Sequence, residues 1–140
     1  MTADIYIETS IKWNQVGDGI VGIAISIEHP ENARSFFGRV TKSSETAAVL
    51  LGLKNALGYL DKADVIRLNI SCPQVAAAFS KGWLDKWAAE DFKKPIKNAD
   101  IWRSVYELLK GRAVEVRLNE FNGFRRWLTA ECIRREEKYG

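Results

Sequence analysis

At 140 residues, 46% hydrophobic and 28% charged, the chain has the size and composition of one globular domain with a core of its own. Its 21 Lys and Arg against 18 Asp and Glu give a formal net charge of +3, which admits a polyanionic partner without demanding one. Cys72 and Cys132 lie too far apart for a zinc or redox-pair spacing, no stretch approaches the roughly 18 apolar residues of a membrane span, and no apolar signal core precedes the first strand. Thiolate-metal, disulfide-scaffold and membrane-spanning classes are thereby disfavoured, and a reducing, cytoplasmic setting is the expectation.

Residues 4–12 read as a strand with two unlike faces: Ile5, Ile7, Thr9 and Ile11 point one way, Tyr6, Glu8 and Ser10 the other. Glu8 sits mid-strand, where an isolated charge is costly unless it is paired, metal-bound or at the rim of a cleft. Taken alone, a solvated strand face explains it as well. Residues 14–19 carry turn chemistry, 20–27 form a second strand rich in β-branched residues, 29–32 turn again, and 34–41 form a third, giving an antiparallel meander. His29, the only histidine, stands beside Pro30 in a turn and is given no role.

Ser43 and Ser44 offer an N-cap, and Leu50, Leu53, Leu57 and Leu60 recur at helical spacing, so a helix is expected from about 44 to 60. Glu45 lies in its first turn, a place the helix dipole favours for an acid by about 0.3–1 kcal/mol. Residues 64–70 alternate Ile66, Leu68 and Ile70 with Val65, Arg67 and Asn69; a strand following a helix is expected to pair in parallel with an earlier one. Pro73 suits the first turn of a short helix reaching about Ser80, and α/β folds place ligands beyond the carboxyl ends of parallel strands, which draws attention to Ser71.

Between 81 and 98, Trp83, Trp87 and Phe92 are interleaved with Lys81, Lys86, Lys93, Lys94 and Lys97. The pattern fits a platform that stacks on bases and neutralises phosphates, and equally an amphipathic helix diluted by Asp85, Glu90 and Asp91. A helix over about 100–110, a Gly111 cap, a fifth strand over 113–119 and a final helix bearing Arg125, Arg126, Arg134 and Arg135 complete the chain.

This order of elements resembles the type 1 ribonuclease H family, and local stretches carry the likeness. Ile5-Tyr-Ile-Glu-Thr-Ser10 resembles that family's first strand, Ser44-Glu-Thr-Ala-Ala48 its first helix, and Val65-Ile-Arg-Leu-Asn69 its fourth strand. Lys93-Lys-Pro-Ile-Lys-Asn-Ala-Asp-Ile-Trp102 is similar to the segment after the family's basic handle, and Trp83 and Trp87 fall where that handle has tryptophans. The resemblance implies an α/β fold with a five-stranded mixed sheet, three antiparallel strands then two parallel, flanked by helices.

It also implies chemistry. The family cuts RNA in RNA/DNA hybrids with two Mg²⁺ ions, about 4 Å apart, held by four carboxylates. Position by position, the acids are Glu8 in place of the first-strand aspartate and Glu45 for the first-helix glutamate, while Ser71 and Trp127 stand where the other two would be. Glu120 or Glu131 is a substitute if the last helix is shifted, and Asn122 falls near the family's loop histidine. An arginine, Arg125 or Arg126, reaching the two retained acids would neutralise them without metal. On the binding side, Asn14, Trp83, Lys86, Trp87, Lys93 and Lys94 match nucleic-acid contacts, whereas Ala88, Ala89 and Glu90 thin out the most basic turn and Pro73 replaces a glutamine that reads the minor groove.

Three readings follow. The first is a ribonuclease H-like pseudoenzyme that keeps a nucleic-acid partner, hybrid or duplex, with Glu8 and Glu45 binding metal weakly or not at all. The second is a divergent nuclease working with Mg²⁺ or Mn²⁺. The third is a structural or interaction module whose old cleft is filled by Trp127 and the arginines.

Overall fold

The strands and helices follow the expected order in the computed structural model, which describes residues 2–12, 15–27, 34–60, 63–93, 96–118 and 123–139. Strands β1 (Thr2–Thr9), β2 (Val16–Ile27) and β3 (Arg34–Ser44) precede helix α1 (Glu45–Gly58). Strand β4 (Val65–Ile70) leads to α2 (Pro73–Ser80), α3 (Trp83–Ala89) and α4 (Ala99–Leu109), and β5 (Ala113–Leu118) leads to α5 (Gly123–Tyr139). The sheet order is β3-β2-β1-β4-β5, with the first three strands antiparallel and β4 and β5 parallel to β1.

The two faces of β1 explain why helices pack on both sides of the sheet. Ile5 and Ile7 are fully buried, and Ile7 lies on the face covered by α1. The approach there is close because Gly52 has no side chain: a Cβ would stand 2.9 Å from Val21 Cγ2 and 3.1 Å from Ile7 Cγ2. On the opposite face Glu8, Gly22 and Phe37 lie abreast on β1, β2 and β3, under α5. Leu128 and Cys132, both fully buried, seat α5 there. On the same side of the sheet, Asp4, Arg67 and Glu115 stand abreast across β1, β4 and β5, with ion-pair distances of 3.8 and 3.6 Å. Opposite charges facing one another across strands support the register of the parallel half.

Three boundaries differ from the sequence expectation: β1 ends at Thr9 rather than at residue 12, and β2 and β3 are each longer than expected. Strand β2 begins at Val16 rather than Ile20, absorbing most of the expected turn through a register shift between Gly17 and Gly19. Asp18 is left at the shift and its Oδ1 accepts the backbone N–H of Lys42 at 2.9 Å. The same pairing carries β3 on to Ser44, opposite Val16, so the strand runs directly into α1. Ser44 is that helix's N-cap, its hydroxyl accepting the N–H of Ala47 at 3.1 Å.

Candidate functional site

The carboxyl ends of β1 and β4 lie side by side at one end of the sheet, so Glu8 and Ser71 come together from two elements. Parallel pairing sets the register: Ile7 lies beside Ile70, which places Ser71 next to Glu8. The Ser71 hydroxyl donates to Glu8 Oε2 at 2.8 Å. From the other side Arg125 Nε donates to Glu8 Oε1 at 2.7 Å. Both partners are enclosed, the Glu8 side chain 7% exposed and that of Arg125 17%. Glu8, next to last in β1, therefore has its partner, and it is a guanidinium.

Arg125 reaches this point because α5 is fixed by residues three and seven positions further on. Leu128 and Cys132 occupy the same helix face as Arg125, and that face lies on the bare backbone of Gly22. A Cβ at Gly22 would stand 2.7 Å from Cys132 Sγ and 3.0 Å from Leu128 Cδ1. The Cys132 thiol itself points at the backbone carbonyl of Glu8, 3.6 Å away. Burial pushes the Cys132 thiol up to about 12, and the nearby charge of Glu8 adds to the effect.

Glu45 opens onto a different surface. It lines a cleft of about 250 Å³ together with Gln15, Ser44, Thr46, Gln74 and Lys97. The Thr46 hydroxyl donates to Gln74 Oε1 at 2.9 Å. Cys72, the N-cap of α2, lies alongside Thr46 and is raised mainly by burial, with Glu45's charge contributing. Sequence reading singled out neither Gln74 nor Thr46; the available signal was that both sit in the first turns of helices that begin at this edge.

The other expected positions divide. Trp127 is on a neighbouring flank of α5, 46% exposed and edge-on to Phe37 with ring centroids 6.4 Å apart. Glu131 turns to its own helix, pairing with Arg134 at 2.8 Å and Arg135 at 3.4 Å, and Arg134 foremost holds its carboxyl below the usual carboxylate range. Asn14, His29, Lys94, Glu120 and Asn122 lie outside the described residues.

In the handle, Trp102 is buried and Trp87 packs against it with centroids 5.6 Å apart, so Trp87 leans into the core. Trp83 is 40% exposed, stacked obliquely on Trp87, with Lys81 Nζ 5.4 Å from its ring centre. Lys86 and Lys93 are exposed. Among the described residues the handle thus offers one outward indole, with Lys81 at its ring.

Magnesium takes hard, anionic oxygen ligands. Both Glu8 oxygens already accept hydrogen bonds, one of them from a cation, so a metal ion at Glu8 would have to displace Arg125. Among the described residues no group of three or more His, Cys, Asp and Glu side chains is gathered to hold a metal ion. The donors at Glu8 do not fit a resident metal pair.

Comparison with known proteins places this geometry in context. No family model matches the chain. It is 28% identical over 112 residues to the ribonuclease H of Lachnoclostridium phytofermentans, covering 75% of this chain and 71% of that one. Among solved structures it superposes on LC9-RNase H1, a type 1 RNase H with the type 2 active-site motif, with a TM-score of 0.78 at 14% identity, covering 99% of this chain and 74% of that chain. It also superposes on LC11-RNase H1 in complex with an RNA/DNA hybrid, with a TM-score of 0.65 at 13% identity, covering 95% and 97% of the two chains. Strand order, mixed pairing and kinship with bacterial ribonucleases H together make this chain a ribonuclease H-like domain.

Proposed function

We propose that this domain binds nucleic acid, an RNA/DNA hybrid or a duplex, and that metal-dependent cleavage in it is impaired or lost. The observation that carries the second half is the committed carboxylate: Glu8 is held by the Arg125 guanidinium and the Ser71 hydroxyl. A neutral serine at the end of β4 brings no charge to a cation, and an arginine in contact with Glu8 repels one. The binding half is supported by the exposed Trp83 with Lys81 at its ring, by the exposed Lys86 and Lys93 elsewhere in the handle, and by the likeness to LC11-RNase H1, which was solved with a hybrid. The test is a labelled RNA/DNA hybrid incubated with the protein in Mg²⁺ and in Mn²⁺, with binding followed on the same samples. Retained binding without cuts is the expected outcome; cuts that require the metal would overturn the impairment.

A second reading, a divergent working nuclease, is favoured by one observation. Glu45 lines an open cleft with Gln74 and Lys97 rather than being locked in a described ion pair, and LC9-RNase H1 is a type 1 enzyme with another motif. Under that reading Glu45→Gln abolishes cleavage, because a carboxamide offers no charge to a metal.

A further inference from the structure

We propose that a cleft at the entry end of the parallel strands binds a small monocarboxylate with an apolar body, held through Arg112. The inference is independent of the nucleic-acid reading and concerns another part of the molecule. Arg112 immediately precedes β5, whose first residue, Ala113, pairs with Val65 at the start of β4. Ser71, which holds Glu8, follows the opposite end of β4. The cleft has a volume of about 400 Å³, within the range of about 300–1,000 Å³ usual for small-ligand pockets. Phe79, Leu84, Tyr106, Leu109 and Val114 line it with rings and aliphatic groups, and its charged residues are Asp85, Lys110 and Arg112.

The charge on Arg112 has no counterpart in the free protein. The residue is half-buried, its Nη1 is shut off from water without a hydrogen-bond partner, and among the described residues no carboxylate stands within ion-pair distance of its guanidinium. Arg67 and Arg135 also have a buried, unbonded nitrogen, but each lies near an acid, Arg67 3.6 Å from Glu115 and Arg135 3.4 Å from Glu131. Lys110, the other cation of the cleft, is engaged by Glu107 at 3.0 Å and lies over the ring of Tyr106. A buried donor left without an acceptor destabilises the chain by more than a made hydrogen bond stabilises it, so an acceptor entering the cleft relieves a strain the free protein carries. Charge and walls select the acceptor. A carboxylate presents two oxygens to the guanidinium fork. One uncompensated cation suits one negative charge, and Asp85 in the same cleft opposes a second, which disfavours a phosphate dianion. The five apolar side chains suit a hydrocarbon or aromatic group attached to the carboxylate.

The test titrates phenylacetate into the full chain labelled with ¹⁵N and follows the amide resonances, with 2-phenylethanol and inorganic phosphate as comparison probes. Saturable shifts centred on the turn from Leu109 to Val114 are expected with phenylacetate, and binding about tenfold weaker or less with 2-phenylethanol, which has the ring without the charge. Arg112→Met is expected to weaken phenylacetate binding by about tenfold or more and to raise the melting temperature of the free chain, because it removes the donor that has no acceptor. An arginine serving only the fold would lower the melting temperature when replaced, so lost binding with a lower melting temperature overturns the assignment of Arg112 to the ligand. No saturable shift with phenylacetate, equal affinity in Arg112→Met, or equal affinity for 2-phenylethanol overturns the carboxylate site. Tighter binding of phosphate than of phenylacetate overturns it in favour of a phosphate ligand.

Discussion

Arg125 and Glu8 meet at 2.7 Å although 117 residues separate them, and this contact ties the last helix to the first strand. Each group is mostly withdrawn from water, so each depends on the other for compensation. Removing one partner of such a pair leaves a largely buried charge and costs about 3–5 kcal/mol, whereas replacing both with apolar groups of similar volume is often close to neutral. Arg125→Ala and Glu8→Gln are each expected to lower stability by about 3 kcal/mol, and Glu8→Leu with Arg125→Leu by clearly less than the two together. Urea denaturation of the single and double variants measures the coupling; additive losses would show that the pair contributes nothing beyond its separate parts.

Gly22 is the floor on which α5 rests. A methyl group there would stand 2.7 Å from Cys132 Sγ, closer than real Cβ contacts allow. The helix, anchored by the fully buried Leu128, cannot withdraw without opening its own interface, so Gly22→Ala is expected to cost about 1–3 kcal/mol, the range of overpacking. Cys132→Ala in the same chain should recover part of the loss, because it removes the atom the methyl meets. Thermal melts of the three variants decide this, and Gly22→Ala melting with the wild type would contradict the close packing.

The Cys132 thiol makes stability depend on pH in the alkaline range. Its value in the folded chain is pushed up to about 12, by burial first and then by Glu8, from an ordinary value of 9.0. An acid whose value rises on folding binds its proton more firmly in the native state. The stability it supports is complete below about pH 9 and declines as pH climbs towards 12, where the unfolded chain has already lost the proton. Cys72, raised by burial as well, acts in the same direction. Guanidinium denaturation at pH 8 and pH 10.5 should show a fall that shrinks in Cys132→Ala; an equal fall in both proteins would exclude Cys132 as a source.

The two ends of the tryptophan row should respond differently to substitution. Trp102 is 3% exposed and touches Trp87 and Phe79, so Trp102→Ala is expected to cost about 3–5 kcal/mol, as for large aromatic side chains cut from a core. Trp83 is 40% exposed, so Trp83→Ala should change stability little while weakening hybrid binding by about 1–3 kcal/mol, the value of one stacked base. Melting temperature and hybrid affinity measured on both variants separate the two roles. Loss of stability without loss of affinity in Trp83→Ala would assign that indole to packing.

Much of the architecture was written in local patterns. Alternation in residues 4–11 marked a strand with an apolar and a polar face, and the leucines from 50 to 60 marked α1, because strand and helix periodicities depend only on neighbours a few positions away. Ser44 as cap and Pro73 at the start of α2 were legible for the same reason. The start of β2 was not. Residues 16–19 have turn composition, and only pairing with β3 and the Asp18 contact to Lys42 recruit them into the strand.

At the site, the sequence by itself determined which residues were available: two acids at positions 8 and 45, a serine at 71 and arginines near the start of the last helix. It also determined that a carboxylate within the first strand needed a counterpart, since burial of an uncompensated charge is costly whatever the fold. Which counterpart it found was decided by tertiary structure. Helix periodicity offers Arg125, Arg126 and Trp127 as successive choices around one turn, and nothing local selects among them. The bare backbone of Gly22 does so, by letting Leu128 and Cys132 sink onto the sheet, which rotates Arg125 to Glu8 and leaves Trp127 against Phe37.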